Sequence, residues 1–244
     1  MARTRPADRV ASLIDAAIRV FCRKGFRRAH MADIAREMGV SPGLLYNYVE
    51  SKEALFYLVV DQGFGQEPVE ETLELPVKTP APGAIVKRIA ERFRTAGAMP
   101  ALAAAIRRPR ADDPRGELEE VVRALYAMVS RSATATTMIE RSALELPGLA
   151  DLFYRRMRSS VVERLSRLIE SRAEAGQYRR APHPAVAARL IIETITWFAR
   201  NRLGDLASES ITDKAAEETV VDFIVNSLLA DRVRHGRTRA PLIR

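Results

Sequence analysis

A chain of 244 residues and 27.2 kDa has room for one large domain or two small ones. Its 47% hydrophobic and 29% charged residues exclude a fibrous or wholly disordered protein. One cysteine, Cys22, excludes an internal disulfide, and no stretch approaches the ~20 apolar residues of a membrane span. With no secretory pattern over residues 1–6, the expected compartment is the cytoplasm.

The net charge of +8 is unevenly placed. Residues 1–60 hold ten Lys/Arg against six Asp/Glu, and 231–244 hold five Arg against Asp231. The stretch between them carries 24 of each sign. Attraction for a polyanion therefore belongs to the ends, above all the N-terminal segment.

Apolar residues recur at helical spacing almost throughout. Leu13, Ile14, Ala17, Ile18 and Phe21 predict a helix over about 7–24, ended by Gly25 at the C′ position. Met31, Ile34, Ala35 and Met38 predict a shorter one, ended by Gly39. Ser41-Pro42 is a helix start, with serine at the N-cap and proline at the first helical position. Ser51 before Lys52-Glu53 opens another. Residues 61–83, broken by Gly63, Gly65, Pro68, Pro76, Pro80 and Pro82, read as a junction with one helical turn near Glu70–Leu73. Further helices are expected at 84–97, 100–108, 115–132, 135–146, 148–175, 184–203 and 211–231. No strand signal competes with them, so the fold class is all-α. A helical N-terminal segment at 1–60, the junction at 61–83, a larger helical region at 84–231 and a basic tail at 232–244 complete the expected organisation.

The stretch 25–56 carries the functional signal. Two short helices separated by Gly39-Val40-Ser41 have the proportions of a helix-turn-helix. Ala35 is small where the helices approach, Gly39 supplies a positive φ, and Ile34, Met38 and Leu45 close a small core. A recognition helix must offer its leading turn to base edges. That turn would be Ser41, Pro42, Gly43 and Leu44, followed by Tyr46, Asn47 and Tyr48. Tyrosine hydroxyls can donate to phosphate, Asn47 can read an adenine edge, and Lys52 is a further phosphate candidate. The competing reading is a helical hairpin whose tyrosines are half-buried packing residues.

The same stretch resembles the TetR/AcrR family of bacterial transcriptional regulators. The residues that carry the resemblance are Ala16-Ala17 with Phe21, Gly25-Phe26, Ile34-Ala35 and Gly39-Val40-Ser41. They continue with Gly43, Leu45-Tyr46, Tyr48 and Ser51-Lys52-Glu53 with Leu55. The likeness covers about the first 60 residues. It departs from the family pattern at Ala29-His30, where Thr-Thr or Thr-Ser is common, at Leu44, where a small or hydroxylated residue is frequent, and at Val49, where Phe is usual. His30 would therefore have to take over the helix cap or leave it weaker, and Leu44 would meet a thymine methyl. The resemblance implies a three-helix head, a variable helical domain that binds a small inducer, and pairing of two subunits through the last helices. It also implies that double-stranded DNA is the partner.

The later residues permit that architecture. The segments 184–203 and 211–231 carry apolar residues around more than one face, which fits either a subunit interface or a central helix of one large domain. Bulky candidates to line an effector pocket are Phe93, Tyr126, Met128, Met138, Phe153, Tyr154, Met157 and Trp197, although such residues at helical spacing also build cores. The arm of Arg3, Arg5 and Arg9 either follows the DNA or is solvated.

Catalysis and cofactors find little support. His30, His183 and His235 are scattered, and Cys22 reads as a buried small thiol, so no metal site is expected. Gly63-Phe64-Gly65 lacks the setting of a dinucleotide loop, and no nucleophile motif appears. The expectation is a homodimeric, ligand-responsive regulator, not an enzyme, acting as a repressor released from a palindromic operator by a small, largely apolar molecule. The alternative is a DNA-binding or architectural protein with no inducer.

Overall fold

A computed structural model describes residues 6–64, 73–96 and 99–230, and places them in eleven α-helices. Two isolated β-bridges, and no sheet, accompany the helices among the described residues. Most of the predicted helices appear with shifted ends. The two basic residues Arg3 and Arg5, all but Leu73 of the expected turn near Glu70–Leu73, and the tail at 232–244 lie outside the described residues.

Helix α1 (Pro6–Arg28) runs four residues beyond its expected end, and Gly25 (φ 75°, ψ 174°) interrupts it. That conformation is open only to glycine. It differs from the left-handed cap expected there, because the chain continues in an extended step into Phe26. Next come α2 (Met31–Met38), α3 (Pro42–Leu45) and α4 (Lys52–Gln62). The apolar stripe of α1, with Leu13, Ala17, Val20 and Phe21 all buried, packs on α2 and α4. Phe56 of α4 meets Phe21 and Phe26 edge-on at centroid distances of 5.0 and 5.2 Å. Such pairs contribute about 0.5–1.5 kcal/mol each beyond the area they bury.

The chain divides into two compact units. One comprises Met1–Gly97 with Ser132–Met157, the other Ala98–Arg131 with Arg158–Arg244. The division does not fall at the expected 83/84 boundary. The reason lies in α8 (Ala133–Ser142), which packs lengthwise on α1, and in α5 (Ala84–Ala96), which packs on α4. The first unit thus holds the head together with two helices that the sequence assigns to the regulatory region. Cys22, half-buried on α1, has its thiol held in the protonated form by desolvation, partly offset by the charge of Arg141.

The second unit contains α6 (Pro100–Arg107), α7 (Pro114–Arg131), α9 (Ser159–Glu174), α10 (Pro184–Ala199) and α11 (Asp213–Leu228). The expected helix over 148–175 is instead a π-helical stretch, Asp151–Arg158, running into α9. The core of this unit is pinned by a charge. Arg172 is 0% exposed and donates twice to the Glu117 carboxylate, at 2.8 and 2.9 Å, and once each to the carbonyls of Ala105 and Arg108. The guanidinium thus terminates α6 while α7 neutralises it, the full pairing that a buried cation requires.

Candidate nucleic-acid interface

The reading turn is assembled from two sides. Gly39 ends α2 in the left-handed conformation (φ 70°, ψ 32°), and its open surroundings make that φ, not crowding, the reason for glycine. Ser41 then stands at the N-cap of α3 with extended backbone, but its hydroxyl makes no cap bond and is exposed with Pro42 and Gly43. Beyond Leu45 the chain keeps turning through bonds from Asn47 N–H to Leu44 (3.2 Å), Tyr48 N–H to Leu45 (3.0 Å) and Val49 N–H to Leu45 (3.1 Å). Leu45 and Val49 are fully buried, and Leu44 is half-buried against the same core.

This register decides which side chains face outward. Tyr46 is 50% exposed and Asn47 is exposed, whereas Tyr48 is only 9% exposed. Tyr48 lies three residues after Leu45, on the core side of the turn, so its ring packs inward instead of joining Tyr46 as a reading residue. Leu44 is likewise turned partly inward, which limits the thymine contact expected of it.

Lys52 also differs from expectation. Its ammonium donates to the carbonyls of Arg27 (3.2 Å) and Ala29 (3.0 Å), and it sits 4.5 Å over the Phe26 ring. The end of α1 leaves carbonyls that need donors, and a cation there also answers the helix dipole. Lys52 therefore ties α4 to the end of α1, with its charge turned into the protein.

His30, exposed, occupies the N-cap of α2, and the cap is completed by Asp33, whose Oδ2 accepts the His30 N–H at 3.0 Å. Asp33 also binds Lys24 at 2.8 Å, and Glu37 accepts from Arg19 at 2.7 Å and from Arg23. Both carboxyls are held below their usual range, Asp33 chiefly by the hydrogen bond from Lys24 and Glu37 chiefly by that from Arg23. The two acids neutralise much of the positive charge of α1. Arg27 and Arg28, which follow the Gly25-Phe26 step, are exposed beside His30. The sequence reading did not single them out, although two adjacent arginines just before a helix start were a usable signal.

The candidate effector residues fall into two groups. Phe93, Met138, Phe153, Tyr154 and Met157 belong to the core of the first unit, Tyr126 and Met128 to that of the second. Trp197 is partly exposed on α10, edge-on to Phe198 at 4.8 Å. They were gathered by size and spacing within single helices, which cannot report which core each helix joins.

Comparisons with known proteins fit this geometry. Residues 13–58 match the N-terminal model of the bacterial regulatory proteins of the tetR family, and 111–221 match a tetracyclin repressor-like C-terminal domain. Together these cover more than half of the chain. An uncharacterized HTH-type transcriptional regulator of Bacillus subtilis (strain 168), YfiR, is 38% identical over 58 residues, which are 24% of this chain and 28% of that relative. The chain thus aligns with little more than a quarter of that curated relative's length. Among solved structures, AibR in complex with isovaleryl coenzyme A and operator DNA is 16% identical with a TM-score of 0.51, covering 91% of this chain and 98% of that one. A TetR-like transcriptional regulator from Rhodococcus sp. RHA1 is 20% identical with a TM-score of 0.48, covering 92% and 96%. No helix among the described residues is long and apolar enough to cross a membrane. With a helix-turn-helix head and a helical C-terminal region each matching its model, the chain belongs to the TetR family of bacterial regulatory proteins, DNA-binding transcription regulators and not enzymes.

Proposed function

We propose that this chain is a cytoplasmic, homodimeric repressor that binds a palindromic operator through its head and releases it on binding a small, largely apolar molecule. The observation that carries the reading is the placement of Tyr46 and Asn47, exposed on a turn whose opposite side, Leu45, Tyr48 and Val49, is locked into the core. A base-reading side chain must be both solvent-facing and rigidly mounted, and that combination supports DNA recognition over a helical hairpin. In this reading Asn47 contacts a base, Tyr46 and Ser41 donate to phosphate, Pro42 and Gly43 permit close approach, and His30 flanks the site. Arg27 and Arg28 extend the positive edge. Tyr48 and Lys52 position the turn from behind.

The sharpest test is Asn47→Ala, titrated against the DNA upstream of the gene and against a panel of single-base variants. Discrimination at one base position falls by about 1–3 kcal/mol, while binding to unrelated duplex is unchanged. Equal loss on every sequence would assign Asn47 to the backbone instead.

Dimerisation through α10 and α11 is supported by the apolar residues they leave exposed, Val186, Leu190, Trp197 and Phe223. Effector binding is supported by AibR, a protein of similar fold solved in complex with isovaleryl coenzyme A and operator DNA. The ligand must bind the DNA-competent and released states unequally, or nothing switches. Titrating the operator complex with a panel of small apolar compounds, branched short-chain acyl esters among them, weakens operator binding by about tenfold for at least one of them, a coupling of ~1.4 kcal/mol. Unchanged affinity across the series favours the regulator with no inducer.

A further inference from the structure

The segment that follows α4 returns to the head. Residues 73–83 fall between the two matched family regions, 13–58 and 111–221, and read from the sequence as a junction. In the structure Val77 forms a parallel bridge to Val49. Its N–H donates to the Tyr48 carbonyl at 2.8 Å, and its carbonyl accepts the Glu50 N–H at 3.0 Å. Two residues on, the Thr79 N–H donates to Glu50 Oε2 at 2.9 Å, and the hydroxyls of Thr79 and Ser51 are 2.8 Å apart. Ser51 is itself the N-cap of α4, accepting from the Ala54 N–H at 3.1 Å. The strap of residues 77–79 is thus tied at Val77 to the backbone of Tyr48 and Glu50, and at Thr79 to the side chains of Glu50 and Ser51, directly after the turn that carries Tyr46 and Asn47.

Extended backbone sends successive side chains to opposite faces. Val77 packs against the core of the first unit, so Lys78 projects away from it, and it is exposed. Among the described residues Lys78 has no ion-pair partner. Its position contrasts with Lys24, Arg19 and Arg23, whose charges Asp33 and Glu37 answer, and with Lys52, whose charge is turned inward. Nearby, Glu50 and Glu53 are exposed and would repel a polyanion along this edge of the turn.

We propose that the strap is part of the DNA-binding surface and that Lys78 binds a backbone phosphate of the duplex flanking the bases read by Asn47. The inference rests on the DNA-binding reading above and adds to it a contact from outside the helix-turn-helix. Phosphate contacts fix register without reading sequence, and each one releases counterions, so Lys78 leaves a signature in salt dependence.

The test is Lys78→Ala in the full-length protein, titrated against its upstream DNA and unrelated duplex between about 50 and 200 mM salt. Affinity falls by roughly fivefold on both DNAs, and the slope of log K against log salt drops by about 0.9. The melting temperature does not move, because the side chain is exposed. A second protein, Glu50→Gln with Lys78→Ala, keeps an acceptor for Thr79. If it regains the wild-type affinity and slope, Lys78 only screens Glu50 and the inference is overturned. An unchanged slope in Lys78→Ala overturns it too, and leaves the DNA-binding reading standing as long as the wild type still binds. If the wild type itself binds neither duplex, both fail together.

Discussion

Gly25→Ala lowers stability by about 3 kcal/mol, the sum expected from two separable costs. The first is local. Gly25 holds φ 75° and ψ 174°, a region essentially closed to residues with a Cβ, and forcing one there costs ~1–3 kcal/mol. The second comes from packing. An added Cβ would lie 2.8 Å from the Arg141 carbonyl oxygen and 2.9 Å from Glu145 Oε2, the first near the end of α8 and the second in the turn beyond it. Neither neighbour can retreat freely, since Glu145 Oε2 accepts the Arg27 N–H at 2.7 Å. Overpacking of this kind costs about 1–3 kcal/mol. At 2–4 °C per kcal/mol for a chain of this size, the melting temperature falls by roughly 10 °C. Operator affinity falls as well, because Phe26, Ala29 and His30 all follow the step that has to shift. Adding Glu145→Ala to the variant relieves the carboxylate clash but also removes the acceptor of the Arg27 N–H, and it leaves the backbone strain and the Arg141 contact, so recovery is partial at most. A melting temperature within about 2 °C of wild type would show that α8 is not pressed against this step.

The contact at Gly25 also shows where the sequence is legible and where it is not. A break at Gly25 was readable, and Phe21 as an apolar-face residue, because periodicity reports on a side chain's own helix, but the resumption of α1 from Phe26 to Arg28 was not. Gly39-Val40-Ser41 and the Ser41-Pro42 start were readable because turn and cap chemistry is local. Pairing between distant segments lay beyond reach. Glu145 sits 118 residues from its Arg27 partner, and Val77 comes from a proline-broken stretch with nothing to signal that it would meet Val49. Lys52 looked like a phosphate ligand from its position and turned out to serve the carbonyl of Arg27 in α1 and that of Ala29 just beyond it, a demand invisible without the geometry of that helix end. Arg172 is the reverse case. It sits among many surface arginines, and only the convergence of Glu117 and two carbonyls explains why it is buried. Tyr48 was misplaced by one face, because a helix of four residues followed by looser turns sets no firm angle for the residues after it.

If the chain pairs through α10 and α11 as proposed, Leu190→Glu turns it into a monomer and weakens binding to a two-half-site operator by about 10²-fold or more. Leu190 is 64% exposed, and with Val186 and Trp197 at spacings of four and seven residues it forms one stripe along α10. On α11, Phe223 is 70% exposed, with exposed Thr219 and Ala215 at successive four-residue steps before it. Apolar side chains left outside the unit's own core gain only if a second surface covers them, and α10 and α11 pack on each other within the unit. A carboxylate introduced at 190 would have to be desolvated in that contact, at a cost of several kcal/mol. Its own fold is spared, because the position is solvent-facing in the single chain and the melting curve at micromolar concentration should change only by the loss of dimer linkage. The consequence for DNA follows from geometry. In the proposed dimer each head would present the four-residue helix α3, so affinity for a palindromic operator would depend on two heads engaging one duplex, and separating them would forfeit the effective concentration that the pairing provides. Sedimentation equilibrium reads the first effect, and titration of full and half operators the second. If Leu190→Glu remains dimeric and binds the full operator as wild type does, the subunits pair elsewhere and the exposed stripe has another use.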